Sequence, residues 1–259
     1  MEHVIKKFDR MGARLEVLRE LTRGARREGL SIDVIEAGPR GDSFAIAVET
    51  DVELQVLDCQ PRLRHLLLMA KRADSGALIG KYLCGHDERH WFVAGVGREA
   101  TNVRTAVESL KPDAVRQEQK RVRPKRRNRR HNPAFVRQGE WFFLPAPDFD
   151  PGGRQVLSDE PLVRGQGKPH RAQHLVRYGG RQVYVTQRHP NGLSEAAYRR
   201  LLAQNPAARG WGWRVMVRDP QVYVKGAIRH PDHKTVMLQH WYRVLVNEEV
   251  FTQSVAFLD

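Results

Sequence analysis

Cysteine, long apolar runs and acidic charge are all scarce in this chain of 259 residues. Two cysteines, Cys59 and Cys84, are too few for a disulfide framework. No window approaches the roughly 18 apolar residues that a membrane-spanning helix requires. Residues Met1 to Arg14 interleave Glu2, Lys6, Lys7, Asp9 and Arg10 with apolar positions and so lack a signal-peptide core. Together these absences predict a cytoplasmic protein with no membrane partner. The serine-hydrolase and zincin signatures G-x-S-x-G and H-E-x-x-H do not occur. Gly165-x-Gly167-Lys168 is not a phosphate loop, because it lacks the G-x-x-x-x-G-K-[ST] spacing. No cofactor is assigned by any motif.

Acids are outnumbered 30 to 44 by Lys and Arg, which gives a net charge of +14 and points to an acidic partner. The excess is concentrated. Residues 116–137 hold ten cations and a single acid, Glu118, and so carry +9, leaving +5 for the rest of the chain. Seven of the ten fall between Arg121 and Arg130: Arg121, Arg123, Lys125, Arg126, Arg127, Arg129 and Arg130. So dense a run repels itself, buries little, and is expected to stay extended until a polyanion neutralises it. Flexible linkers usually use Gly and Ser or mix signs, whereas this tract is nearly all cationic. Arg outnumbers Lys in it eight to two, which suits forked phosphate contacts and stacking on exposed bases. Pro124 and Pro133 prevent one continuous helix. The partner expected is nucleic acid, RNA favoured over DNA, with Phe135 and Trp141 close behind to stack if exposed.

The tract divides the chain into three expected parts: an α+β domain over 1–115, an Arg-rich linker over 116–137, and a β-rich α+β domain over 138–259. In the first, the leucines of 13–23 suit a short helix, and residues 101–110 a second one capped by Thr101 or Asn102 and stopped by Pro112. Between them, Leu30–Ile35, Ser43–Val48, Val52–Leu57, His65–Ala70, Lys81–Cys84 and Trp91–Val96 read as strands, with Gly85-His86-Asp87 as a turn. In the third, Glu140–Leu144, Gln182–Thr186, Trp213–Val217, Val222–Ile228, Thr235–Leu238 and Trp241–Val246 read as mostly antiparallel strands. One helix, Leu193–Ala203, is inserted with Ser194 as its cap, and most of the tryptophans belong to the core.

Two groups of residues could carry chemistry. Cys84, His86 and His90, with Asp87 or Cys59, could face a zinc ion, but the spacing fits no standard finger. A polar turn with Asp87, Glu88 and Arg89 in a local salt-bridge network is favoured there. The second group comprises histidines of the C-terminal half: His170 and His174 in G-K-P-H-R-A-Q-H, His230 and His233 in R-H-P-D-H-K, and His240. His170, His230 and His233 are the catalytic candidates. A histidine pair near a lysine can move protons and stabilise a phosphorane, while His230, Asp232 and His233 could instead help hold a divalent metal. No metal site is fixed by the spacing. Beside a nucleic-acid-binding protein, the composition therefore leaves open a nuclease and a scaffold for an acidic protein.

Overall fold

The computed structural model describes residues 1–21, 25, 28–35, 41–164 and 168–250. Both halves are α+β with a large β part, as the strand and turn patterning predicts.

The chain opens with helix α1 (Glu2–Arg10), whose Val4 and Phe8 lie four apart on one buried face. Gly12, at φ +80°, ends it in a left-handed conformation that glycine adopts without steric cost. Strand β1 (Leu15–Val17) then pairs parallel to β3 (Ser43–Val48), with β2 (Leu30–Ile35) on the other side of β3. The helix expected over 13–23 is thus corrected. Its leucine spacing is real, but the chain after Gly12 is taken into the edge of a sheet, where tertiary pairing overrides a weak helical period. Residues 22 and 23 lie outside the described residues.

Four strands follow as an antiparallel meander: β4 (Val52–Gln60), β5 (His65–Arg72), β6 (Leu78–Asp87) and β7 (His90–Val96). Both faces of this sheet are covered. Leu66 and Leu68 of β5 join Phe8, Ile32, Phe44, Tyr82 and Trp91 in one core, while Leu67 of β5 faces Leu83, Ala94 and Val96 on the other side. Helix α2 (Val103–Ser109) closes that second face through Val103 and Ala106. Its cap is Asn102, with Thr105 returning a reciprocal bond as a capping box. The expected turn at 85–87 is displaced. Those residues stay in β6, Asp87 pairs with His90, and the chain reverses at Glu88 and Arg89.

The tract is not extended. Pro112 ends one helix and caps the next, α3 (Asp113–Glu118), which continues into 3-10 turns at Gln119–Arg121 and Pro124–Arg126. Strands β8 (His131–Asn132) and β9 (Phe135–Gln138) then lead into β10 (Trp141–Pro145). Val115, Val122, Ala134 and Phe135 bury against Phe142 and Leu144, giving the segment an apolar anchor. A handful of apolar residues at suitable spacing outweighs the self-repulsion of exposed cations, which water and salt screen.

The second half is a seven-stranded antiparallel sheet in the order β11-β12-β16-β17-β10-β9-β8. Its further strands are β11 (Leu157–Leu162), β12 (His170–Tyr178), β16 (Gln221–Arg229) and β17 (Val236–Val246). The two strands expected over 235–238 and 241–246 are one, β17. Strand β12 is not among the strands read from the sequence. A register shift between Ala172 and His174 breaks the period-two pattern that would have announced the strand. Inserted between β12 and β16 is a small sheet, β14-β13-β15, made of β13 (Arg181–Thr186), β14 (His189–Leu193) and β15 (Arg214–Arg218). Helix α4 (Glu195–Gln204) belongs to it, and Ser194 accepts from the Ala197 amide as its cap.

Candidate functional site

His170 is the first residue of β12, and His230 is the first after β16. Arg171 and Arg229 are register partners in the antiparallel pair, so the two histidines sit side by side although 60 positions apart. His233 comes back over them from the turn before β17. Ring centroids are 4.3 Å apart for His170–His230, 4.7 Å for His230–His233 and 5.6 Å for His170–His233. One nitrogen from each falls within 4.8 Å of those of the other two, and no other such group occurs among the described residues. The three catalytic candidates converge.

Each ring has a different environment. His170 is 2% exposed, and neither of its ring nitrogens has a hydrogen-bond partner. Burial, and then His230 and His233, push its pKa down to about 3, so it is a neutral imidazole. His230 is also lowered, mainly by burial and then by His233. Its Nε2 lies 3.1 Å from the Lys168 carbonyl, and its Nδ1 accepts from the Asp232 amide at 3.1 Å. His233 Nδ1 lies 3.1 Å from a Glu88 carboxylate oxygen, which also accepts from the Lys234 amide at 3.2 Å. Asp232 instead faces Lys168, 2.8 Å away, and that bond holds its carboxyl below the usual range.

The cluster lies in a cavity of about 1370 Å³ between the two halves. Its N-terminal wall includes Asp33, His65, His86, Asp87 and Trp91, and the tract contributes Asn128, Arg130 and Arg137. Asp87 and Glu88 do form salt bridges, but not with Arg89. Arg130 bridges to both acids, and Arg137 reaches Asp87 at 2.9 Å. The local network expected in the turn is instead a clamp between distant segments.

The tract's cations divide into two sets. Arg116 pairs with Asp113 and Glu248, Lys120 donates to the Gln117 side-chain oxygen at 2.6 Å, Arg121 pairs with Glu118, and Arg127 donates to the carbonyls of Val122 and Lys120. With Arg130 and Arg137, these are engaged within the fold. Arg123, Lys125, Arg126 and Arg129 are exposed, with no ion pair among the described residues. Beneath them lies Lys111, 2% exposed, whose ammonium donates to Glu108, Gln119 and Asn128 at 2.7 Å each and to the Arg127 carbonyl at 3.3 Å. Burial pushes the Lys111 pKa down, opposed by Glu108.

The remaining candidates do not assemble. Cys84 is buried, which drives its thiol pKa up; His86 packs edge-on against Trp91, and His90 lies 3.6 Å from Asp42. His174 and His240 lie away from the cluster, His240 stacking on Tyr242. Phe135 and Trp141 are 2% and 9% exposed, so neither is available to stack on a base. Of the four C-terminal tryptophans only Trp141 is buried; Trp211, Trp213 and Trp241 are half-buried. Sequence reading also missed Glu88 as a partner of His233, Lys111 as an anchor, and Gly139. Glu88 and Gly139 have no local signal, since they act through residues far along the chain, and Lys111 gathers partners spread from Glu108 to Asn128. No protein-family model, curated protein or solved structure matches this chain.

Proposed function

We propose that this protein binds nucleic acid, RNA favoured, by laying the phosphate backbone on the exposed cations of the tract beside the mouth of the cleft. The observation that carries the proposal is the division of those cations. Five arginines are spent on holding the tract in shape, and Arg123, Lys125, Arg126 and Arg129 remain exposed and unpaired. A folded rim presents charges at fixed spacing, so less ordering is needed on binding than for a free linker. Arginine favours forked contacts to phosphate and stacking on unpaired bases, which supports the preference for RNA. With Phe135 and Trp141 buried, stacking surfaces would come from the inserted sheet. There Trp211 and Trp213 are half-buried, and the Arg188 guanidinium lies 4.3 Å over the Trp211 ring.

The test is the quadruple variant Arg123→Ala, Lys125→Ala, Arg126→Ala, Arg129→Ala. Binding to a labelled single strand should weaken at every sequence. Its salt dependence should flatten by about 3 in the log–log slope, at roughly 0.7 per lost phosphate contact. Unchanged affinity and slope would refute the proposal. Competition between RNA and DNA of one sequence settles the preference.

A second reading, hydrolysis of the bound strand in the cleft, is favoured by the convergence of His170, His230 and His233 beside the tract's Arg130. Neutral imidazoles can accept a proton from an attacking oxygen.

A further inference from the structure

We propose that His170, His230 and His233 form a mononuclear site for a divalent transition metal of the zinc class, with its fourth coordination position open to the cleft. This goes beyond nucleic-acid binding and does not depend on it.

The cost of His170 is the first argument. A buried polar atom without a hydrogen bond is costly, and His170 has two such nitrogens in one nearly inaccessible ring, with a Glu140 carboxylate oxygen 3.9 Å from Nδ1, beyond hydrogen-bond reach. The three imidazoles do not satisfy one another in this stack: none makes a hydrogen bond to another. A cation at their centre is the partner that three lone pairs share.

Space for it exists. Gly139 has φ +56°, and a Cβ built on it would stand 3.3 Å from His233 Nε2 and 3.5 Å from His170 Nε2. Those two nitrogens therefore border the same small gap, kept open where the chain has no side chain. The outer shell is arranged as metal sites require. Metal-bound histidines commonly give their second nitrogen to a carboxylate or a carbonyl, which fixes the tautomer. Glu88 does this for His233 and the Lys168 carbonyl does it for His230. Glu88 is itself held by Arg130 and the Lys234 amide, and it adopts φ +53°, an uncommon conformation for a residue with a side chain.

Two adjustments accompany loading. Zinc–nitrogen bonds of about 2.1 Å place tetrahedral ligands roughly 3.4 Å apart, so the widest pair, now up to 4.8 Å, must close by side-chain rotation. His230 Nδ1 must exchange the Asp232 amide for the metal. No Cys, Asp or Glu among the described residues completes the group, so the fourth position faces the cavity. Three protein ligands with one open position is the pattern of a catalytic rather than a structural zinc site, and a water there would be acidified towards a pKa of about 7.

The experiment uses the full chain, stripped with a chelator and free of nucleic acid. Zn²⁺ uptake is followed by calorimetry and elemental analysis, and Co²⁺ uptake by its visible absorption. The expected result is one ion per chain, a Kd below about 1 µM, and the intense Co²⁺ bands of a tetrahedral site. His233→Ala should weaken binding by more than about 100-fold, and the positioning change Glu88→Gln by roughly 10- to 100-fold. His131→Ala and His189→Ala should change nothing. His170→Ala removes a buried ring, so circular dichroism accompanies it, and the wild-type Co²⁺ spectrum and His233→Ala decide the matter if it fails to fold. A folded wild-type chain that takes up no ion, weak octahedral Co²⁺ bands, or equal affinity in His233→Ala would overturn the proposal. The quadruple rim variant must bind metal as the wild type does, which separates this test from that of nucleic-acid binding.

Discussion

The rim and the floor of the cleft handle charge in opposite ways. On the rim, four cations stand in water, where exposure costs little and salt screens their repulsion, and the rest are matched to acids or carbonyls. On the floor, withdrawal from water keeps His170 neutral and pushes His230 the same way, and neither nitrogen of His170 has a hydrogen bond. The difference teaches where to look for function in each. Exposed charge can be added or lost cheaply, so it reports on what is held. A buried group without a partner is costly, so it persists only where something repays it, as a bound ligand would.

That contrast can be broken at three points. The largest effect concerns the floor. If it acts on what the rim holds, wild-type protein should cleave labelled RNA. His230→Ala or His170→Ala should abolish cleavage while a filter-binding assay shows retention intact. No cleavage with or without added divalent metal would refute hydrolysis in the cleft.

Next comes Lys111, the one tract neighbour that obeys the rules of the floor. Lys111→Met leaves the Gln119, Asn128 and Glu108 oxygens without their shared donor and should cost about 3–5 kcal/mol in chemical denaturation, as for a broken buried pair. A loss below about 1 kcal/mol would show that apolar contacts alone shape the tract.

The smallest effect tests the opposite wall. Burial raises the Asp33 carboxyl pKa, against an opposing bond from the Val34 amide. A raised carboxyl binds its proton more tightly in the folded state than in the unfolded one. Its contribution is therefore present at low pH and is lost as pH rises from about 3.9 through the folded value. Asp33→Asn should accordingly raise the urea midpoint slightly at pH 7. The gain should vanish as pH falls below that window; a loss of stability at pH 7 would contradict the burial argument.

Much of the strand content was legible because burial on one or both faces leaves a mark at short range. Leu66 to Leu68, buried alternately on two faces, read as a buried strand from composition alone. Ser194 and Asn102 announced their helices through capping chemistry that spans three residues. What failed were features set by distant partners. The tract looked like a free linker because Lys111, Asp87 and Glu88, which hold it, lie outside it. For the site, the histidines could be named by type, but their meeting depends on the register of Arg171 with Arg229, which no local pattern states.

That register has a companion at the far end of the same two strands, where Tyr178 pairs with Gln221. Everything between them, the inserted sheet and its helix, leaves and re-enters the large sheet through one point. Topologically, residues 179–220 are an ornate hairpin turn. The ends of this excursion are already fixed together by β12 and β16, so its length and content can change without altering the strands that aim His170 and His230. The insertion is thus a replaceable head on a constant frame, free to vary in what it touches while the histidines stay aligned.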